Sequence, residues 1–156
     1  FSILVLIIYE KMRNRMNRLK ADGYYLAHNH TSESAKPSKE DMKITKKFVA
    51  NVNGFLGHIV LGNKDKYSII EENSRGLILM PKENILRNDI AEEMEQKLKD
   101  NTFYDIKISS RVELVALLKK MKKGTGYECN YCWMRTSGFD PGRTAGAGRP
   151  RRDRSR

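Results

Sequence analysis

The sequence is poor in the residues that define several protein classes. Its 156 residues include two cysteines, four prolines and one tryptophan. Two cysteines are too few for a disulfide-stapled scaffold, and the eleven glycines show no collagen-like period. The longest apolar run, at 3–8, is too short to cross a hydrocarbon layer of about 30 Å, and it lacks the basic start of a secretory signal. These absences predict a soluble, cytoplasmic protein with no membrane partner, and the length is that of one ordinary domain.

Basic residues are abundant and unevenly spread. Lys and Arg total 30 against 19 Asp and Glu, so the formal net charge is +11. Residues 135–156 alone hold seven Arg, two Asp and no Lys, among glycines and few large apolar side chains. Such a segment buries too little surface to offset its ordering entropy, so we predict that 124–156 form a disordered Arg/Gly-rich tail. The positive charge also favours nonspecific association with nucleic acid.

The spacing of apolar residues predicts an α/β fold in which strands and helices alternate. We predict strands over 1–8, 24–27, 56–61, 66–70 and 77–80, and a strand or extended link over 103–108. We predict helices over 10–21, 38–52, 82–99 and 110–123. Residues expected to end helices are Asp22-Gly23, Asn53-Gly54 and Gly124. The last helix begins with a capping-box pattern at Ser110 and Glu113.

Two histidines and an aspartate form the pattern that carries the most chemistry. His28 and His30 follow the predicted strand 24–27, and residues two apart on an extended chain leave the same face. Asp41 comes eleven residues later, in the first turn of the helix that Ser38 caps. Neutral imidazoles and a carboxylate are a common ligand set of catalytic zinc, which keeps one position for water. The pattern predicts a zinc site, although Ser-x-x-Asp by itself is also an ordinary helix cap.

The segment 26–62 resembles the core of the RadC family, within the JAB/MPN group of JAMM metalloproteins. The resemblance depends on His-Asn-His at 28–30, Pro-Ser-Lys-Glu-Asp at 37–41 and Gly-His-Ile-Val-Leu-Gly at 57–62, and it extends over 10–70. It implies a cytidine-deaminase-like arrangement of helices on a mixed sheet. It also implies that His28, His30 and Asp41 bind Zn²⁺ and that Ser38 lies beside the reaction centre.

Combined with composition, the resemblance predicts three segments. Residues 1–72 would form a partial RadC-like JAB/MPN domain, and 73–123 an α-helical C-terminal extension that packs on this core or on a partner. Residues 124–156 would be the basic tail.

Two departures from the family pattern bear on activity. The family's Pro-Ser-Gly after the second histidine is replaced by 31–33, Thr-Ser-Glu, which adds an acid to the loop. Active JAMM enzymes resemble one another in using a glutamate from a strand well upstream of His-x-His as general base. The only acids before the motif here are Glu10, which fits the first turn of the predicted helix, and Asp22. Because the chain opens with Phe1 inside an apolar run, we expect a fragment whose general base lies in a preceding segment.

Two functions from different classes fit these observations. The first is a zinc-dependent hydrolase of peptide or isopeptide bonds, from a family whose name is tied to DNA repair, with catalysis doubtful in this chain alone. The second is a non-catalytic basic module that holds nucleic acid or a nucleoprotein. Two further features are weaker. His58 is expected to be a buried, hydrogen-bonded histidine and not a ligand, and Cys129 and Cys132 have knuckle spacing but no second pair.

Overall fold

Helices and strands alternate along the chain. The computed structural model describes residues 3–30, 34–101, 106–125, 131–136 and 144–146, with side chains at 7–30, 34–101 and 106–120. The described helices are α1 (Ile3–Leu19), α2 (Lys39–Asn51), α3 (Asn88–Asp100) and α4 (Arg111–Thr125). The described strands are β1 (Ala21–Asn29), β2 (Phe55–Leu61), β3 (Lys66–Ile70), β4 (Asn84–Ile85), β5 (Tyr131–Thr136) and β6 (Thr144–Gly146). None of the described helices combines the length and the apolar character that a membrane crossing requires.

The strands form one mixed sheet in the order β4-β3-β2-β1-β5-β6. Strands β1 and β2 are parallel, because helix α2 carries the chain back across the sheet between them. The remaining neighbours are antiparallel. This arrangement confirms the predicted α/β class with a mixed sheet and flanking helices, and it puts the ends of β1 and β2 at the same edge.

Each face of the sheet has its own hydrophobic cluster. On one face, buried residues of α1 pack with Tyr24 of β1 and Val52 after α2. On the other, a larger cluster joins the sheet to α3 and α4, and its fully buried members include Ile59, Met94 and Leu117. Successive strand residues point to opposite faces, so Tyr24 and Leu26 contact the first cluster while Tyr25 and Ala27 contact the second.

The predicted strand at 1–8 is wrong, because α1 begins at Ile3 and runs to Leu19. Its β-branched composition favours a strand, but the buried stripe of Tyr9, Met12 and Met16 has helical spacing and needs a helix to reach the sheet. Gly23 does not end this helix. Lys20 does, in the left-handed region at φ 56°, and Gly23 lies inside β1.

The segment between β3 and α4 also differs from prediction. The helix expected from residue 82 begins only at Asn88, because Asn84 and Ile85 pair with β3. The expected strand at 77–80 is reduced to a single bridge between Glu72 and Ile78. Residues 103–105 of the predicted link lie outside the described residues, and 106–108 have no regular structure. Gly124 lies within α4 and does not end it.

The predicted disorder of 124–156 does not hold for two segments. Tyr131–Thr136 form β5, which pairs antiparallel with β1 from Ala21 to Ala27, and Thr144–Gly146 form β6. Pairing with β5 satisfies backbone groups along an edge of β1 that would otherwise be open. Apart from the end of α4, the rest of 124–156 lies outside the described residues.

Helices α3 and α4 pack on the sheet itself. Leu86, Met94 and Leu114 share one cluster with Ala27 and Leu61 of the central strands. The boundary drawn between residues 72 and 73 remains a prediction.

Candidate metal centre

The two central parallel strands place three histidines on the α2 side of the sheet. His28 is the next-to-last residue of β1, and His30 follows the strand, with its backbone N–H donating to Leu61 O at 2.8 Å. Leu26 pairs with His58 of β2, so the His58 side chain shares a face with Leu26 and His28. The His28 and His58 ring centroids are 4.8 Å apart.

The N-terminus of α2 holds the carboxylate. Ser38 is the N-cap, and its Oγ accepts a hydrogen bond from the Asp41 N–H at 3.1 Å. In return, the Ser38 N–H donates to Asp41 Oδ2 at 2.8 Å, which completes a capping box. The ordinary helix-cap interpretation of Ser-x-x-Asp and the metal-site interpretation are therefore compatible, because the cap is what orients the carboxylate.

The carboxylate of Asp41 lies between the two imidazoles of the His-x-His pair. Asp41 Oδ1 is 3.1 Å from His28 Nε2, and Oδ2 is 2.9 Å from His30 Nε2. One ligand atom from each residue lies within 4.8 Å of the other two. Partial burial alone would raise the pKa of the Asp41 carboxyl, but the Ser38 N–H and the two neighbouring histidines outweigh it and lower that pKa.

Each ring nitrogen on the far side of these imidazoles has its own partner. His28 Nδ1 is 2.8 Å from His58 Nε2, and His30 Nδ1 is 3.3 Å from the backbone carbonyl of Ser34. Burial, assisted by the charge of His28, lowers the pKa of His58 to about 3, so this ring is neutral at physiological pH. Both far nitrogens are thus engaged, and the Nε2 atoms are the ones that face the carboxylate.

The residues present fit a divalent metal ion of the zinc type. Two Nε2 lone pairs and an ionised carboxylate within 4.8 Å repel one another unless a cation or a proton lies between them. Two imidazoles and one carboxylate match zinc in donor type, and three protein ligands are the number typical of catalytic zinc.

A short loop after His30 is held by the other half of the molecule. The Glu83 carboxylate accepts the Ala35 N–H at 2.6 Å and the Ser34 hydroxyl at 3.2 Å. The buried Ser68 hydroxyl of β3 donates to Ala35 O at 2.6 Å. These bonds fix the carbonyl against which His30 is oriented, so the position of His30 depends on residues more than 30 positions away.

The structure brings together all four residues singled out from the sequence. His28, His30 and Asp41 lie within 4.8 Å of one another through one ligand atom each, and Ser38 caps the helix beside them, while their binding of a metal stays a prediction. Glu10 is not a first-turn acid, since it lies exposed in the middle of α1. Asp22 is the second residue of β1, six residues before His28 and about 20 Å away along the strand.

Other sequence candidates have mixed outcomes. His58 is 5% exposed and hydrogen-bonded, as expected. Glu33 and Cys129 lie outside the described residues, and Cys132 is placed only as a backbone position in β5.

Sequence reasoning missed two residues, Thr45 and Glu83. Thr45 is fully buried, and its hydroxyl lies 2.7 Å from both Asp41 O and His58 Nδ1. A threonine four residues after Asp41 in the same helix was an available signal, because such hydroxyls bond the carbonyl one turn earlier. Glu83 had no local signal, since its role depends on the loop reaching it.

Fold and site together define a class of protein, one with an α/β sheet and a candidate metal centre at the end of its parallel strands. Residues 9–76 match the family described as the RadC-like JAB domain. The UPF0758 protein FN0909 of Fusobacterium nucleatum subsp. nucleatum is 33% identical over 69 residues, which cover 42% of this chain and 28% of that protein. The family model therefore places the similarity in the segment where the sequence motifs predicted a RadC-like JAB domain. No solved structure gives a significant match to the chain.

Proposed function

We propose that this RadC-like domain binds one Zn²⁺ through His28, His30 and Asp41 and that it serves the hydrolysis of peptide or isopeptide bonds. The observation that carries the proposal is the convergence of two Nε2 atoms on one carboxylate, with both Nδ1 atoms engaged elsewhere. The matched segment covers 28% of the length of its curated relative. The hydrolytic activity is therefore our proposal and does not follow from the match.

A bound zinc ion would act as a Lewis acid toward a carbonyl oxygen and would lower the pKa of water to about 7. The chain's own residues orient the reaction around that position. The capping box keeps the Asp41 carboxylate from rotating, and the two Nδ1 contacts keep the imidazole rings from turning. Rings and carboxylate held in advance need no reorganisation at the moment of reaction.

Ser38 is the proposed catalytic residue of the chain. Its Oγ accepts the Asp41 N–H, so the hydrogen of its own hydroxyl points elsewhere and is available for a substrate carbonyl oxygen. A donor at that oxygen stabilises the negative charge that develops in amide hydrolysis. Neither acid that precedes His28 is placed for proton transfer, since Glu10 is exposed on α1 and Asp22 is at the opposite end of β1. We therefore expect little or no turnover from the bare chain.

Metal content and turnover test this function separately. Purified protein should hold about one zinc per chain by elemental analysis, and His28→Ala or Asp41→Ala should remove most of it, because only two of the three typical ligands remain. Ser38→Ala should keep the zinc, and an exposed-acid variant, Asp89→Ala, is the matched control for a lost carboxylate. Absence of zinc from the parent protein under metal-replete conditions would refute the site.

Turnover is assayed on a linear peptide and on an isopeptide-linked peptide, each with and without added zinc. We expect little cleavage, and any metal-dependent cleavage that is measured should decrease in Ser38→Ala. Rapid metal-dependent cleavage would contradict our expectation that neither Glu10 nor Asp22 can serve as the base.

A specific charge distribution favours a second function, nonspecific nucleic-acid binding. Helices α1 and α2 pack side by side, with Tyr9 against Phe48 and the Arg13 guanidinium donating to Asn51 O at 2.7 Å. Together they carry eight basic and three acidic residues, a net charge of +5, whereas α3 and α4 carry seven and six, a net charge of +1.

The two sets of basic side chains also differ in their partners. On the α3/α4 side, Lys97 contacts Glu93 and Glu113, and Lys120 contacts Glu95. Within the described residues, Lys39 and Lys46 of α2 have no carboxylate at ion-pair distance, and Lys43 has one, Glu40, at 3.7 Å. A positive surface that is not neutralised internally is the kind that phosphate backbones bind.

Matched charge removals test this surface. The triple variant Lys39→Gln, Lys43→Gln, Lys46→Gln should weaken binding to a DNA duplex and lower the salt slope, by about 0.9 for each phosphate that the protein no longer neutralises. The control, Lys97→Gln, Lys99→Gln, Lys120→Gln, removes the same charge from the other face. Equally weakened binding in the two variants would mean that overall charge, and not the α1/α2 face, determines binding.

A further inference from the structure

We propose that Thr45 and His58 are positioning residues that fix His28 in the tautomer able to bind a metal ion. The inference deepens the proposed function, because it concerns the same site. It rests on a closed ring of contacts that joins two of the candidate ligands through two residues that touch no metal.

The ring has four members on three elements. From Asp41 of α2, the backbone carbonyl lies 2.7 Å from Thr45 Oγ1, and Thr45 Oγ1 lies 2.7 Å from His58 Nδ1 on β2. His58 Nε2 lies 2.8 Å from His28 Nδ1 on β1. His28 Nε2 lies 3.1 Å from Asp41 Oδ1, which closes the ring.

The carbonyl of Asp41 sets the direction of the hydrogen bonds. A carbonyl only accepts, so the single hydrogen of the Thr45 hydroxyl goes to Asp41 O. Thr45 Oγ1 must then accept from His58, which places the His58 hydrogen on Nδ1. With its hydrogen on Nδ1, His58 accepts at Nε2, and His28 therefore donates from Nδ1. His28 Nε2 consequently carries a lone pair toward the candidate metal position.

The opposite direction is the alternative that Thr45 excludes. If the hydroxyl donated to His58 Nδ1, the His58 hydrogen would move to Nε2, and His28 would carry its hydrogen on its own Nε2. That hydrogen would suit the Asp41 carboxylate but would block a metal ion. It would also leave Asp41 O and Thr45 Oγ1 at 2.7 Å with no hydrogen between them.

Burial makes this choice depend on Thr45 itself. Thr45 is fully buried and His58 is 5% exposed, so solvent cannot readily replace the hydroxyl in the ring. An unpaired buried donor or acceptor carries a large desolvation penalty, which is enough to decide between two tautomers.

His30 does not need such a relay of hydrogen bonds through further side chains. Both of its neighbours only accept, the Ser34 carbonyl at Nδ1 and the Asp41 carboxylate at Nε2, so a metal ion on the Nε2 side leaves the hydrogen on Nδ1. His28 faces a nitrogen of another histidine, which can donate or accept. The relay is therefore required at the one ligand whose neighbour leaves the tautomer undetermined.

Long-range ¹H–¹⁵N NMR of the metal-free protein, at a pH where the rings are neutral, reports which nitrogen of His28 carries hydrogen. We expect Nδ1–H in the wild type and in Thr45→Ser, which keeps the hydroxyl. We expect a shift toward Nε2–H in Thr45→Val, which keeps the side-chain shape but loses the hydroxyl that sets the direction of the hydrogen bonds. This readout needs no metal and no activity.

Zinc affinity, measured by competition with a chromophoric chelator, gives the second readout. Removal of such a supporting hydrogen bond typically weakens metal binding about 10–100-fold, and we expect that range for Thr45→Val and for His58→Leu. Thr45→Ser should bind like the wild type. His58→Gln should restore much of the affinity, because its amide oxygen can accept from His28 and its amide nitrogen can donate to Thr45.

Two results would overturn the inference. One is a hydrogen on Nε2 of His28 in the metal-free wild type, a measurement that stands even where a variant does not fold. The other is an equal decrease of zinc affinity in Thr45→Ser and Thr45→Val. A wild type that carries the predicted tautomer but binds no zinc would sustain the relay and refute the proposed function.

Discussion

The two faces of the central sheet bury different kinds of side chain. The face covered by α3 and α4 is apolar, with Leu114, Leu117 and Leu118 almost completely buried. The face covered by α1 and α2 also buries polar groups. Thr45 of α2 and His58 of β2 are buried there, and the Tyr24 hydroxyl donates to Val52 O at 2.8 Å. One face resembles an ordinary core, whereas the other combines packing with directed hydrogen bonds.

The difference shows where stability and chemistry are separated in this molecule. Apolar packing is tolerant of small rearrangements, while the hydrogen bonds from Asp41 O through Thr45 and His58 to His28 need each donor and acceptor in place. The charged surfaces follow the same division, because carboxylates pair with lysines on the α3/α4 side. We therefore expect substitutions on the two faces to affect different measurements.

Truncation of the α3/α4 core should give the largest decrease in stability. Leu117→Ala removes a side chain that is fully buried, and such changes cost about 2–5 kcal/mol because a cavity remains. Urea unfolding measures this decrease, and Ile85→Ala, at a residue that is 67% exposed, is the control with little expected effect. Zinc affinity of the folded Leu117→Ala protein should be unchanged. A decrease in zinc affinity as large as that of Thr45→Val would contradict our expectation that the two faces affect different measurements.

The N-terminus of α4 should make an intermediate, pH-dependent contribution. Glu113 accepts hydrogen bonds from the Ser109 N–H at 3.1 Å and the Ser109 hydroxyl at 2.6 Å, and Ser110 Oγ accepts the Glu113 N–H at 3.2 Å. In a capping box the Glu113 carboxylate would accept the Ser110 N–H. Here it accepts the N–H of the preceding residue, Ser109. Burial raises the pKa of the Glu113 carboxyl, but these bonds and Lys97 outweigh it, and the net pKa is lowered.

A lowered pKa in the folded state means that the ionised Glu113 stabilises the fold above the pKa of the unfolded chain. That contribution disappears as the pH falls through the folded pKa. Glu113→Gln should therefore cost about 1 kcal/mol near neutral pH and much less in acid. Urea midpoints of both proteins across the acid range test this, and parallel curves at every pH would contradict it.

The smallest expected effect is a gain at the junction between α1 and β1. Lys20 has φ 56°, a conformation that costs an L-residue roughly 1–2 kcal/mol and costs glycine little. Glycine loses more backbone entropy on folding, which offsets part of the strain that is relieved. Lys20→Gly should therefore stabilise the protein by about 0.5–1 kcal/mol. Lys20→Ala, which keeps the strain, is the control. Equal thermal midpoints for the two variants would mean that no strain is stored at this end of α1.

Much of the candidate site could be predicted from local patterns. Alternation on a strand places His28 and His30 on one face, and the Ser38 cap places Asp41 in the first turn of α2. Both relations depend only on residues within one segment of fourteen positions, 28–41. The same is true of α2, β2 and β3, whose apolar spacing and turn residues agree with the structure.

The failures occur where local preference and tertiary packing disagree. Ile3 and its apolar neighbours favour a strand locally, but the helix continues through them because Tyr9, Met12 and Met16 must lie on one side. The sequence around Asn84 and Ile85 favours the start of a helix until β3 offers backbone partners. The pairing of β5 with β1 had no signal in a segment rich in glycine and arginine.

The sequence by itself determined the ligand types, their spacing and the cap that holds the carboxylate, because these depend on contacts within one strand or one helical turn. Only the tertiary structure decided what stands behind the ligands. Thr45 and His28 lie on different elements, and His58 on a third element connects the Thr45 hydroxyl to His28 Nδ1. The physical reason is that a hydrogen bond needs its two atoms within about 3 Å, and no one-dimensional pattern encodes which side chains a folded sheet brings that close.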